Sequence, residues 1–244
     1  MTKKKNSFAS NVLMLMISQV IIKILGLVYR LAITNAEGFG DVGNGYYAAG
    51  YQVYSVLLII SSQGIPGAVS KLVSNKVATG KYKEAHRIFK VSMLVFAIIG
   101  FIASLSLFLF SDFISTNILK VPDVTYVLKV LAPAIFFVCV SAVIRGYFAG
   151  LGTMKASSVS QALEQFFNCV LTVTFVYALI GKEPYVMAAG GNLSTTLSIL
   201  LSFSYLIVFY KSNIKKYSEE SDEVVDTSKK ATKELSKTII LTAI

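Results

Sequence analysis

Four long stretches of this chain carry no charged side chain: residues 42–70, 91–111, 165–181 and 184–210, which are 29, 21, 17 and 27 residues long. A helix rises about 1.5 Å per residue, so about 20 apolar residues cross the ~30 Å hydrocarbon core of a bilayer. A water-soluble core does not need charge-free runs of that length. Only 15% of the residues are charged and 55% are hydrophobic, against roughly 25% charged in a soluble domain. The expected fold class is all-α, a polytopic membrane helix bundle.

The hydropathy pattern predicts six spans, near residues 9–33, 43–66, 88–110, 126–149, 156–180 and 185–210. It divides the chain into a basic N-terminus (1–8), a six-helix transmembrane lobe (9–210), a charged linker (211–236) and the start of a seventh helix (237–244). A chain ending one turn into an apolar helix is expected to be part of a longer protein, with a C-terminal lobe as its missing partner. The alternative is a half-transporter that works as a dimer. The first span is too long, and too interrupted by Lys23 and Arg30, to be a cleaved signal peptide.

Lysine and arginine set the expected orientation. Eighteen of the 23 fall in the N-terminus, the 71–90 stretch, the Arg145–Lys155 region and the stretch from Lys211 to Lys237, whereas the opposite loops hold only Lys120, Lys129 and Lys182. The basic side is read as cytoplasmic, with the N-terminus on it, in a multi-pass plasma-membrane protein. The net charge of +10 is then a topology signal and an affinity for anionic membrane lipids. It does not point to nucleic acid, which would want the cations on one compact face with aromatics between them.

Little in the chain suits catalysis or metal binding. His86 is the only histidine, and Cys139 and Cys169 lie far apart in apolar spans without CxxC spacing. Unpaired cysteines in such places behave as small hydrophobes. Neither a metal site nor a histidine triad can be assembled, so no enzyme activity and no cofactor are expected.

The informative residues are the polar ones inside the spans, because a charge in hydrocarbon is costly and usually faces a protein interior or a wet cavity. In the first span Gln19, Lys23, Gly26 and Arg30 follow spacings of 4, 3 and 4, which is one helical face. Two cations there make a groove suited to an anion. The plainer reading has Arg30 snorkelling to headgroups and Lys23 pairing with a neighbouring helix. In the fifth span Ser157, Gln161, Glu164, Asn168 and Thr172 form a second stripe beside Gln165. Glu164 lies ~14 Å inside the cytoplasmic boundary by helical rise. It is expected either to pair with a cation such as Lys23 or to stay protonated, and a fixed helix–helix salt bridge is the plain alternative. Glu164, Asn168 and Arg145 are the candidates for ion coupling or gating.

Helix breakers add candidate hinges. Pro66, between Gly64 and Gly67, is expected to end the second span, and Pro133 is expected to bend the fourth. Gly146 and Gly150 form a GxxxG pair suited to close helix contact. Of the tyrosines descending the second span, Tyr46 and Tyr47 suit an interfacial aromatic belt. Tyr51 and Tyr54 lie deeper, where they either pack or face a sugar.

The segments "KILGLVYRLAIT", "GYYAAGYQVYSVLLIISSQGIPGAVSKLVSN", "GKYKEAHRIFKVSMLV" and "LAPAIFFVCVSAVIRGYFAGLGTMKASSVSQALEQ" resemble the N-terminal lobe of the bacterial polysaccharide-export family. That family belongs to the multidrug/oligosaccharidyl-lipid/polysaccharide (MOP) superfamily. The nearest branch is the Gram-positive one of stage V sporulation protein B and the MurJ-like lipid II flippases. The resemblance implies the first six-helix lobe of a MATE/MurJ-like two-lobe transporter with a central cationic cavity. It implies as cargo an anionic isoprenoid-linked saccharide, moved outward by alternating access. Lys23, before Ile24-Leu25-Gly26, sits where such proteins place a cavity arginine, and Arg30 is one residue from a second. The basic residues late in their second helix have no counterpart in Leu57–Gln63, and Ala156 replaces a proline after "RGYF". The implied substrate is therefore an undecaprenyl-pyrophosphate-linked oligosaccharide, not lipid II in particular.

The expected substrate-binding residues are Lys23, Arg30, Gln19, Tyr51 and Gln161. Two other functions compete with the flippase. A multidrug or cation antiporter of the same superfamily should line its cavity with acids, and a non-transporting scaffold should use its polar stripes only for helix contacts.

Overall fold

The computed structural model describes residues 2–62, 64–214 and 229–243. Linker positions 215–228 and the side chains of Lys3, Lys4 and Lys5 lie outside the described residues. Among the described residues eight helices follow one another: α1 (Thr2–Thr34), α2 (Gly40–Ser62), α3 (Ile65–Ala78), α4 (Tyr82–Phe113), α5 (Val124–Gly150), α6 (Lys155–Ala178), α7 (Pro184–Asn213) and α8 (Lys229–Ala243). A π turn, Ile114–Ile118, extends α4.

The helix breakers act where their chemistry demands, although not always as expected. The second span stops at Ser62, and a separate helix, α3, begins at Ile65 with Pro66 in its first turn. Proline suits that position, since its missing N–H would have no helical partner there. Hydropathy merges the approach to this break with the span and does not separate α3. Pro133, by contrast, does not interrupt α5, which runs unbroken from Val124 to Gly150. In the turn before it, the Thr196 hydroxyl of α7 donates to the Val130 carbonyl at 2.5 Å. A side chain on a neighbouring helix thereby serves backbone next to the proline. Gly152 and Gly181, with φ of +83° and +88°, make the turns that follow α5 and α6.

α5 is the centre of the bundle. It is largely apolar and mostly buried, as a central helix must be, and packs against α2, α3, α4, α6 and α7. Leu128, Leu131, Ile135, Val143 and Phe148 are completely buried. α6 pairs with α7, and α1 leans on α6. The outer faces are the reverse of a soluble protein's. α1 exposes Met16, Val20, Ile24, Leu27 and Leu31, and α4 exposes Leu94, Ile98, Phe101, Ile102 and Leu109. So large an exposed apolar surface belongs in lipid.

Among the described residues four helices are long and apolar enough to cross a bilayer: Met16–Thr34 of α1, α4 with its π turn, α5 and α7. The hydropathy pattern predicts six. α2 and α6 have the length, at 23 and 24 residues, but α6 carries the polar stripe and α2 the glycines and tyrosines. Alternate crossing is nevertheless built into the packing. Tyr46, Tyr126 and Tyr185, near the starts of α2, α5 and α7, gather at one end, with ring centroids 6.3 Å and 5.3 Å apart. Gln19 meets Gln161 and Ala32 meets Tyr177, so α1 and α6 run parallel. At the other end Phe89, Tyr147 and Tyr210 stack, with centroids 4.6 Å and 5.0 Å apart, and here lie the 71–90 cations.

α8 begins inside the expected linker and packs on α3 and α4. Arg87 donates to Thr232 at 2.9 Å, and Ile239 is buried. Glu84 ties α3 to α4 by pairing with Lys76, and it also accepts from Lys81 at 3.1 Å.

Candidate functional site

A cavity of about 380 Å³ opens between α1, α2, α5, α6 and α7. Its wall is polar out of proportion to the helices around it. α1 contributes Gln19; α2 contributes Tyr51, Tyr54 and Ser55; α6 contributes Gln161, Glu164, Gln165 and Asn168; α7 contributes Thr195, and α5 contributes Arg145. The α6 residues come together because spacings of 3 and 4 put them on one face. Burying that face against lipid would leave amides and a carboxylate unsatisfied, so the helix turns it inward.

The charged centre of the wall is an ion pair. Arg145 Nη2 donates to Glu164 Oε2 at 2.7 Å, with the side chains 12% and 28% exposed. Two hydroxyls hold the guanidinium as well. Nε donates to Ser160 Oγ at 2.9 Å and Nη2 to Ser202 Oγ at 3.2 Å. Ser202 in turn donates to the Ser160 carbonyl at 2.9 Å, which links α6 to α7 beneath the pair. The charge pattern of the chain groups Arg145 with the cytoplasmic loop cations. The structure turns it into the bundle, where Glu164 and two serines satisfy it.

Above the pair runs a network of neutral groups. Asn168 Nδ2 donates to Thr195 Oγ1 at 3.1 Å, and Thr172 Oγ1 donates to Asn168 Oδ1 at 2.9 Å. Thr172 also meets the Ser194 hydroxyl, and all of its side chain is buried. On α1, Gln19 Nε2 donates to Gln161 Oε1 at 2.9 Å, which seats α1 against the α6 stripe. Gly26 is not needed for this approach, since a Cβ there would lie 3.8 Å from Gln165 Nε2, an ordinary van der Waals contact.

The structure separates the two expected cations from this wall. Lys23 is exposed and neither borders the cavity nor pairs with Glu164. Among the residues of α1 that do face inward are Gln19 and Ile22 at the cavity, then Tyr29 and Ile33 further along. Arg30 is also exposed at its helix face, but its guanidinium lies over the Tyr47 ring, 5.7 Å from the centroid. Tyr47 is buried and stacks on Tyr51, whereas Tyr51 is 42% exposed on the cavity side. Tyr54 is buried at the wall. Gly64, Pro66 and Pro133 lie away from the cavity lining.

Two groups of site residues are not singled out by the sequence. The α7 hydroxyls at Ser194, Thr195, Ser198 and Ser202 are all buried. Their spacing of 3 and 4 is legible in "GNLSTTLSILLSFS", but serine and threonine are common in membrane helices, and such a pattern does not by itself mark a site. The pairing of Arg145 with Glu164 has no sequence signal at all, because it depends on which helices are neighbours. Among the described residues no three His, Cys, Asp or Glu side chains gather to hold a metal ion.

The bundle with its polar cavity shares its fold with about half the length of solved MATE proteins. A solved MATE transporter in its straight conformation superposes with a TM-score of 0.77 over 98% of this chain and 52% of that one, at 17% identity. The family follows from the sequence itself. The model of the polysaccharide biosynthesis protein family matches residues 8–243, and the chain belongs to that family. Among its relatives is the lipid II flippase MurJ of Bacillus subtilis, 29% identical over 198 residues, which are 77% of this chain and 36% of MurJ. Another is stage V sporulation protein B of the same organism, 28% identical over 209 residues, 85% of this chain and 40% of that protein. The chain thus spans well under half the length of the curated relatives it matches.

Proposed function

We propose that this chain is the N-terminal lobe of a flippase that carries an undecaprenyl-pyrophosphate-linked oligosaccharide from the inner to the outer leaflet of a Gram-positive cell membrane. The protein serves cell-wall or polysaccharide synthesis by alternating access, with its N-terminus in the cytoplasm. The observation that carries this reading is the chemistry of the cavity wall. Amides, hydroxyls and phenols dominate it, and these are the groups that hydrogen-bond and stack on sugars. The one carboxylate bordering it among the described residues, Glu164, is already neutralised by Arg145.

The same observation speaks against the antiporter. A site for cationic drugs needs an acid free to meet its cargo, and here the acid is spent on an internal partner. A pure scaffold would have no use for an open polar cavity. Family membership supports the flippase too, since the matched MurJ is named for lipid II transfer. Lys23 and Arg30, on the flank of α1, are assigned to the pyrophosphate. Gln19, Gln161 and Tyr51 are assigned to the sugars, and Glu164, Asn168 and Arg145 to gating. The break at Gly64 and Pro66, and Pro133 inside the unbroken α5, are assigned to the rocking of helices between states.

The test is depletion of the full-length protein in its host, followed by extraction and mass analysis of undecaprenyl-linked intermediates. The expected result is their accumulation on the cytoplasmic leaflet. A host that accumulates none on depletion rules the flippase out.

A further inference from the structure

We infer that Arg145 is an oxyanion subsite of this cavity, kept occupied by Glu164 in the empty state and handed to a phosphate of the cargo when that cargo enters. The inference rests on the flippase reading and adds to it a residue and an exchange.

The geometry around the guanidinium carries the idea. Arginine has five N–H donors. Nε and Nη2 supply the bonds to Ser160, Glu164 and Ser202. Nη1 makes no hydrogen bond to protein among the described residues, although Arg145 borders the cavity. Two donors on a fixed cation that borders the cavity are therefore unspent. The serine bonds matter as much as the free edge. Ser160 and Ser202 grip the guanidinium without help from Glu164, and Ser202 is itself tied to the Ser160 backbone. The cation keeps its aim if the carboxylate swings away.

Electrostatics drives the exchange. An uncompensated charge in a membrane interior is costly, so Arg145 needs an anion in every state. No other cation borders the cavity among the described residues. Among the described residues a phosphate inside the cavity meets Arg145 alone, and one that bridges Nη1 and Nη2 competes with Glu164 for Nη2. A planar guanidinium fits a phosphate's paired oxygens as well as it fits a carboxylate's. The displaced carboxylate stays on a wall that also holds the donors of Gln161, Gln165 and Tyr51. A static helix brace would look different: it would be sealed, whereas Glu164 is 28% exposed.

The experiment titrates farnesyl pyrophosphate, a soluble isoprenoid diphosphate, against the full-length protein in detergent, with farnesol as the uncharged control. Glu164→Gln removes the competitor and is expected to tighten pyrophosphate binding about tenfold, mid-range for a directly coupled pair. Arg145→Gln is expected to weaken it by about tenfold or more. Arg145→Gln/Glu164→Gln should match Arg145→Gln, because a competitor has no effect once the site is gone. Farnesol binding should be the same in all four proteins. If Glu164→Gln weakens binding as Arg145→Gln does, the pair is a brace and the inference is overturned. It is also overturned if Arg145→Gln binds as the wild type does, or if the wild type binds farnesyl pyrophosphate no better than farnesol. The Glu164→Gln arm stands by itself should Arg145→Gln not fold. Accumulation of undecaprenyl-linked intermediates on depletion, alongside any of those negative titrations, would sink the subsite alone and leave the flippase standing.

Discussion

Gly146 of α5 and Pro66 of α3 lie so close that a Cβ on the glycine would stand 2.8 Å from the proline carbonyl oxygen and 2.9 Å from its Cα. One turn on, a Cβ at Gly150 would meet the Val73 side chain at 2.7 Å and the Ser70 carbonyl at 2.8 Å. The GxxxG pair is thus the groove that receives α3. It sets the short helix after the Pro66 break against the centre of the bundle.

Gly146→Ala forces backbone against backbone and is expected to destabilise the protein by about 1–3 kcal/mol, the usual range for overpacking. Gly67→Ala is the matched control. It sits in α3 with open space around it, so removing a helical glycine should be neutral or stabilise by up to about 1 kcal/mol. Thermal unfolding of detergent-purified protein, followed by loss of the monodisperse peak, separates the two.

Thr172→Val keeps the shape of a completely buried side chain and deletes its hydroxyl. Asn168 and Ser194 then lose a partner between α6 and α7. Hydrogen bonds between membrane helices average about 0.6 kcal/mol and reach about 1.7. The expected loss is in that range, measured by unfolding in a graded mixture of mild and harsh detergent.

Lys23→Ala breaks no internal ion pair, since Lys23 is exposed and Glu164 is held by Arg145. Stability should change by no more than about 0.5 kcal/mol. Complementation of a host lacking the protein should nevertheless fail at normal protein levels, if this cation meets the pyrophosphate. Full complementation would reduce Lys23 to a lipid-facing snorkel.

Cys139 is completely buried in α5 and packs on α4 where a Cβ on Gly100 would come within 2.8 Å of its own Cβ. A membrane-permeant maleimide is expected to leave it unlabelled in the native protein and to label it after denaturation. Rapid native labelling would mean that α4 and α5 part readily, which these close contacts oppose.

Much of this architecture is legible in the order of residues alone. Charge-free length marks α4 and α7, hydropathy marks α1 and α5 despite their cations, and the 3–4 spacing of Gln161, Glu164, Asn168 and Thr172 marks the face that α6 turns inward. Pro66 marks the helix break, and the cations of 71–90 do gather at one end. Each of these rests on local physics: rise per residue, helical periodicity, a missing N–H, or the cost of a charge in hydrocarbon. The α3 helix is not legible in this way, because its apolar face only becomes meaningful against Gly146 and Gly150.

The partner of Glu164 is decided by the tertiary structure alone. Lys23 and Arg145 are both available as cations, on helices that periodicity describes equally well. α5 packs so that Arg145 reaches Glu164 from 19 positions away, with Ser160 and Ser202 to hold it, while Lys23 sits on a flank of α1 that the cavity does not include. Periodicity tells which residues share a face of one helix. Which faces meet depends on side-chain volumes summed over the whole bundle, and no single stretch of sequence contains that sum.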